Sequence, residues 1–242
     1  MKYLYGITLL LSACMDSKED CVTGQDSDSD GLNDCLEIDI GTDINLKDSD
    51  GDGLTDSEEV DCVSNPLNGD EVCYACGWEH NDPDNLASTG SDKGDVIDNL
   101  LMYDQCGDAV NLWDFHGKYN ILYLTVGWCN TCNREAGDLQ TIQEEFIAET
   151  GLDFEFLLVL YESPSGYPAV PEDSISYADR IGNPNFPVFA DGEKIVVNAT
   201  PLTNYSRPEM CILSPEMEIV ECYSGYDGYE NALEGLKIHA GL

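Results

Sequence analysis

Positive charge is what this chain has least of: 10 Lys and Arg stand against 48 Asp and Glu in 242 residues, a formal net charge of −38. So acidic a surface repels phosphate backbones and excludes nucleic acid as a partner. Long apolar stretches are also missing. The run Tyr3–Leu11 is far shorter than the ~20 residues a membrane-spanning helix needs. Histidine numbers only three, and no His cluster accompanies the cysteines at zinc spacing. What remains is ample for folding, because 42% hydrophobic residues in a chain of this length can fill one ordinary domain and leave a smaller module beside it.

The acidity must be solvated at a cost in self-repulsion or neutralised by cations, and calcium is the abundant extracellular candidate. The N-terminus points outward too. Lys2 precedes the apolar run, and small residues and a cysteine follow it in "LSAC", Leu11–Cys14, which is the grammar of an export signal. That tetrapeptide resembles the bacterial lipobox. The resemblance implies a signal peptide over 1–13, lipidation of Cys14 and anchoring at the bacterial cell envelope, with Met15 after the cysteine pointing to the outer membrane. An ordinary signal peptide with a chance cysteine is the alternative. Export places the other cysteines where disulfides persist, and with Cys14 lipidated ten remain of the 11, an even set.

Composition shifts along the chain. From Ser17 to Asp98 it is acidic, rich in Gly, Asn and Ser, and lacks apolar periodicity, so this part cannot bury a large core. Two stretches within it repeat: "DSDSDGLNDCLE", Asp26–Glu37, and "DSDGDGLTDSEE", Asp48–Glu59. Each fits the calcium-loop pattern in which alternate carboxylates on a tight turn converge on one hard cation. The expected ligands are Asp26, Asp28, Asp30, Asp34 and Glu37 with the Leu32 carbonyl, then Asp48, Asp50, Asp52, Asp56 and Glu59 with the Leu54 carbonyl. Gly31 and Gly53 permit the turn. A solvated acidic linker is the bland alternative.

The flanking amphipathic helices of an EF-hand are missing. "IGTDINLKDSDGDGLTDSEEV", Ile40–Val60, resembles thrombospondin type 3 repeats instead, which implies a compact spacer wrapped around structural calcium, stapled by Cys21, Cys35 or Cys62. The repeat module is expected over 14–62 and a cysteine-containing linker over 63–93. In that linker Cys73 and Cys76 form a CxxC that reads as structural, with a redox pair or half a zinc site as alternatives; His80 is a lone surface-type histidine.

From Gly107 onward the pattern is that of a compact α/β domain. "YNILYLTV", Tyr119–Val126, and "FEFLLVLY", Phe154–Tyr161, read as buried strands. Between them Ala136, Leu139, Ile142 and Phe146 give helical periodicity closed by Gly151. A right-handed strand–helix–strand unit is expected, with "WCNTC", Trp128–Cys132, at its strand-to-helix junction. There the helix N-terminus stabilises a thiolate at Cys129, and Cys132 one turn on can resolve a mixed disulfide.

"GDVIDNLLMYDQCGDAVNLWDFHGKYNILYLTVGWCNTC", Gly94–Cys132, resembles the N-terminal half of a thioredoxin-fold thiol-disulfide oxidoreductase of the TlpA and ResA type. The resemblance extends over 94–242 and implies a central mixed sheet flanked by helices, with Cys129 as nucleophile, Cys132 as resolving thiol, Trp128 shielding the pair and a cis-proline facing it. Pro208, followed directly by a short apolar strand, fits that proline better than Pro201. Hairpin pairing about "SPEME" would set Cys211 opposite Cys222 as a structural disulfide. Tyr123 stands where thioredoxin itself has a buried acid, and Arg207 precedes Pro208 where small or β-branched residues are usual.

The expectation is therefore an α/β chain: a lipid-anchored, exported thiol-disulfide oxidoreductase with structural Ca²⁺ and no organic cofactor. Its partners would be protein thiols or disulfides and a redox donor or acceptor, and the membrane through its anchor. Two rivals are kept: a non-catalytic, calcium-stabilised surface or adhesion module that uses the thioredoxin fold as scaffold, and a thiol peroxidase.

Overall fold

In a computed structural model the chain is described over residues 24–62, 64–69, 73–79, 81, 83, 86–202, 206–225 and 228–242. The signal segment 1–13, Cys14, Cys21 and His80 lie outside the described residues. The chain divides into two compact units, Met1–Glu71 and Val72–Leu242. No helix among the described residues is long and apolar enough to cross a membrane.

The first unit is two acidic loops, each running into a short helix: α1, Asp34–Ile40, and α2, Asp56–Asp61. Asn33 and Thr55 cap them, each accepting a backbone N–H three residues on. Gly41, in the left-handed conformation at φ 95°, ends α1, as the glycine break between the repeats implied. No larger apolar core is needed, because carboxylates organise the loops.

The second unit is built on a seven-stranded sheet in the order β2-β1-β5-β4-β3-β6-β7. Its strands are β1 (Leu101–Tyr103), β2 (Ala109–Asn111), β3 (Tyr119–Val126), β4 (Phe154–Glu162), β5 (Val188–Ala190), β6 (Glu209–Leu213) and β7 (Ile219–Ser224). The helices are α3 (Asn130–Thr150), α4 (Pro171–Ile181), α5 (Ile195–Asn198) and α6 (Gly228–Ala240). β3, β4 and β5 run parallel, β6 is antiparallel to β3, and β7 is antiparallel to β6. This is the thioredoxin arrangement that the resemblance implied: a mixed sheet with helices on its faces.

The two central strands read as unbroken apolar runs because both their faces are covered. On one face Ile121, Tyr123, Leu158 and Leu160 pack with Ala136, Leu139 and Phe146 of α3, Tyr177 of α4 and Leu236 of α6. On the other, Leu122, Leu124, Val159 and Tyr161 pack with Ile97, Met102, Val196 and Met217. Each such fully buried Leu, Val or Phe contributes about 1.5–3 kcal/mol. Part of the expected linker belongs to this core, since Tyr74 is buried in it and Trp78 and Leu86 pack against it. Cys76 is bonded to Cys106, and Cys211 to Cys222 opposite it in the β6–β7 register. Cys35, Cys62 and Cys73 are each disulfide-bonded as well.

Candidate redox and cation sites

β3 delivers the chain to the dithiol, and one glycine makes the turn possible. A Cβ on Gly127 would stand 2.6 Å from the Pro164 nitrogen and 2.9 Å from the Ser163 carbonyl carbon, so the backbone after β4 lies where any side chain would be. Trp128 follows, 48% exposed, and donates its indole N–H to Glu162 Oε2 at 2.8 Å. Burial pushes the Glu162 carboxyl up, but the hydrogen bonds from Trp128 and Lys194 outweigh it and hold the group low.

Cys129 is the N-cap of α3, and its sulfur accepts the backbone N–H of Cys132 at 3.3 Å. The two sulfurs are joined. Their surroundings differ sharply: Cys132 is fully buried, whereas Cys129 is partly accessible. A thiolate at Cys129 would lie in the positive field at the N-terminus of a 21-residue helix, with the Cys132 N–H directed at it. Asn133 fixes the first turn by donating to Gly127 O at 3.0 Å and accepting from the Tyr177 hydroxyl at 2.8 Å.

The Arg207–Pro208 bond is cis and leads straight into β6; among the described residues no strand directly follows Pro201. The Arg207 guanidinium carbon lies 5.5 Å from the centre of the Trp128 ring and 5.3 Å from that of Tyr161, and its Nε donates to the Tyr161 hydroxyl.

Glu135 was not singled out in the sequence. It lies on α3 one turn beyond Cys132, half-buried, with the Tyr123 hydroxyl against its carboxyl. Burial pushes that carboxyl up to about 7, and its Oε1 is buried without a hydrogen-bond partner among the described residues. Thus Tyr123 stands on the strand where an acid would suit this chemistry, and the acid arrives from the helix. A cleft of about 280 Å³ lined by Thr131, Arg134, Glu135 and Tyr229 opens at this point. The signal available in the sequence was the three-residue step from Cys132 to Glu135, one helical turn.

In the first unit, one carboxylate oxygen from each of Asp26, Asp28 and Asp30 lies within 4.8 Å of the others, and Asp48, Asp50 and Asp52 repeat the arrangement. Asp26 shapes its loop by accepting the N–H groups of Ser29 at 2.7 Å and Gly31 at 3.2 Å, and Asp48 does the same for Gly51 at 2.6 Å and Gly53 at 3.1 Å. Other oxygens are left over. Asp28 Oδ2, both oxygens of Glu37, Asp50 Oδ2 and Glu59 Oε2 are buried without a hydrogen-bond partner among the described residues. Burial first, and then the neighbouring aspartates, push Glu37 and Glu59 up to about 7. Buried, unpartnered hard oxygens at this spacing fit a calcium ion, which would compensate a cost that the bare protein bears alone.

Asp34 and Asp56, two of the expected ligands, carry hydrogen bonds within their own loops. Both oxygens of Asp34 accept from Ser27, the N–H at 2.8 Å and the hydroxyl at 2.9 Å, and Asp56 accepts from the N–H and hydroxyl of Ser49, each at 2.7 Å. As the first residue of each helix they brace the loop's start, and Asp34 lies near enough to Glu37, and Asp56 to Glu59, to push those carboxyls up.

Comparison with known proteins follows the same division. The bacterial TSP3 repeat family matches residues 26–43 and 48–69. No curated protein matches the chain significantly. Similar solved structures include a peroxiredoxin Q of Xanthomonas campestris, 19% identical over 60% of this chain and 98% of that one, TM-score 0.45. Another is the thioredoxin domain of a thiol-disulfide oxidoreductase from Bacteroides vulgatus, 20% identical over 63% and 99%, TM-score 0.45. A Mycobacterium tuberculosis peroxidoxin is 12% identical over 61% and 97%, TM-score 0.49.

Proposed function

We propose that the second unit is a thiol-disulfide oxidoreductase of the TlpA and ResA type acting on other proteins, held outside the cytoplasm by a lipid on Cys14, with the first unit a calcium-stabilised spacer. One observation carries the redox reading: an accessible Cys129 caps a long helix while its disulfide partner, Cys132, is buried one turn behind it. A staple has no need of this asymmetry, whereas an exchange reaction requires one sulfur that substrates reach and one that they do not.

In the oxidised protein a substrate thiolate attacks the Cys129 sulfur, forming a mixed disulfide as the Cys129–Cys132 bond breaks and Cys132 leaves as a thiolate that takes up a proton. A second substrate thiolate then displaces Cys129, so the substrate gains a disulfide and the protein two thiols. The reverse sequence reduces a substrate disulfide. Glu135, one helical turn from Cys132 and lining the adjoining cleft, would hold the proton that Cys132 gains or loses. Trp128, fixed by Glu162, covers one side of the pair.

Calcium, where bound, supplies charge neutralisation to the repeats. Asp26, Asp28, Asp30 and Glu37 would hold one ion, and Asp48, Asp50, Asp52 and Glu59 another.

The test is the reduction potential of Cys129–Cys132, equilibrated in glutathione buffers and read by mass spectrometry of trapped thiols. A catalytic pair titrates between about −270 and −120 mV, the range of known oxidoreductases, while a structural bridge stays closed below about −300 mV. The second result would leave the scaffold reading standing in place of this one.

A further inference from the structure

We infer that the dithiol face selects substrate segments carrying a carboxylate beside the reacting cysteine, and that Arg207 is the residue that reads it. The inference rests on the thiol-disulfide reading above and specifies its substrate.

Basic residues are rare in this chain, yet four of the ten stand at the dithiol end. Arg134 lines the cleft beside Glu135. Arg180 donates to Gly127 O at 3.2 Å. Lys194 forms an ion pair with Glu162 at 3.0 Å, and Arg207 lies over Trp128. Their tasks differ. Lys194 is committed to Glu162, whereas Arg207 makes no ion pair among the described residues, and only its Nε has a hydrogen-bond acceptor there. A guanidinium carries five N–H donors, so those on its two terminal nitrogens remain to be used.

The side chain is nonetheless held in place. Two aromatic rings and the Tyr161 hydroxyl fix it, so little of its rotamer freedom is left to lose on binding. One of those rings belongs to Trp128, the residue before Cys129, and Pro208 follows Arg207 in the chain. A fixed fork with free donors matches the two oxygens of a carboxylate, and the partly buried setting strengthens such a bond. The charged groups around it are Lys194 and Glu162, which pair with each other, and the buried Glu209, which acts on the same Tyr161 hydroxyl; selection therefore rests on the unused donors of Arg207 and not on a net positive patch. Elsewhere the acidic surface draws basic segments; at the point of exchange Arg207 opposes them.

The experiment mixes the oxidised full chain with three short two-cysteine peptides in thiol form that differ only in the residue before the first cysteine: Glu, Gln or Lys. The rate of disulfide transfer is followed by mass spectrometry in the wild type, Arg207→Gln and Arg207→Lys. The expected result is that the wild type oxidises the Glu peptide on the order of tenfold faster than the Lys peptide. The ratio should fall to within about twofold in Arg207→Gln and lie between the two in Arg207→Lys, which keeps the charge and loses the fork.

Equal wild-type rates would overturn the inference while leaving the oxidoreductase intact. So would a preference that survives Arg207→Gln, or one loss common to all three peptides accompanied by a shifted Cys129–Cys132 potential, the mark of a residue that positions the dithiol. A wild type that neither oxidises the thiol peptides nor, once reduced, opens their disulfide forms overturns the redox reading and this inference with it.

Discussion

The Tyr123 hydroxyl donates to the Cys132 carbonyl at 3.3 Å from the strand beneath the helix, with the Glu135 carboxyl against it. Sheet and helix thus meet behind the buried sulfur through one phenol. Because the phenol is neutral and its own ionisation is pushed far upward by burial, the group that can exchange a proton at ordinary pH is Glu135.

Glu135 gives the first prediction. Its carboxyl is raised by burial from the ordinary 4.5 to about 7, so it becomes a base only as pH rises through about 7. Exchange steps that require Cys132 to lose its proton should accelerate across that range. Glu135→Gln should flatten this dependence and slow exchange on the order of 10²-fold at pH 8, as read by stopped-flow Trp fluorescence. Stability should move the other way. A carboxyl whose folded value lies above its unfolded one weakens the fold as pH climbs from 4.5 to about 7. Glu135→Gln should therefore raise the melting temperature at pH 8 and leave it unchanged at pH 4.

The accessible and buried sulfurs should behave differently when separated. Cys132→Ser should accumulate a mixed disulfide between Cys129 and its substrate, which non-reducing gels would display; Cys129→Ser should abolish exchange and capture nothing. Capture by Cys132 alone would contradict its burial.

Calcium at millimolar concentration should raise the melting temperature and protease resistance of the first unit, and chelation should reverse both. Affinity on the order of 10⁻⁴ to 10⁻³ M is expected of extracellular modules. Glu37→Gln or Glu59→Gln should weaken binding at one repeat each, whereas Asp34→Asn should disturb the apo loop through its Ser27 hydrogen bonds. Isothermal titration on each variant would read the difference, and a melting curve indifferent to calcium would refute the cation reading.

Ser29 adopts φ 65°, the left-handed region, where the second repeat has Gly51 at φ 83°. A side chain there costs about 1 kcal/mol, so Ser29→Gly should stabilise the calcium-free first unit by about that much, less the added freedom of glycine in the unfolded chain. A chelated urea titration measures it.

Much of the architecture was legible because it depends on local pattern. The unbroken apolar runs of β3 and β4, the periodic face of α3 and its closing Gly151 are short-range consequences of burial and helix geometry. Cys211 opposite Cys222 followed from the two-stranded register. The repeated loop carboxylates were legible too, though not the hydrogen bonds of Asp34 to Ser27 and of Asp56 to Ser49, which depend on helices of only seven and six residues that carry no periodicity to read. β1, β2 and β5, of three residues each, left no such signal either.

What the sequence determined by itself is whatever neighbouring residues dictate: where strand yields to helix, that Cys129 begins α3 with Cys132 one turn on, and where carboxylates converge on a tight loop. What only the tertiary structure decided is which distant groups meet at those points. Cys76 found Cys106, Tyr123 met a carboxyl from α3, and Arg207 came to lie between Trp128 and Tyr161. These meetings depend on how strands pair and helices pack across the two faces of the sheet, and sequence spacing carries no record of which side chains that packing brings into contact.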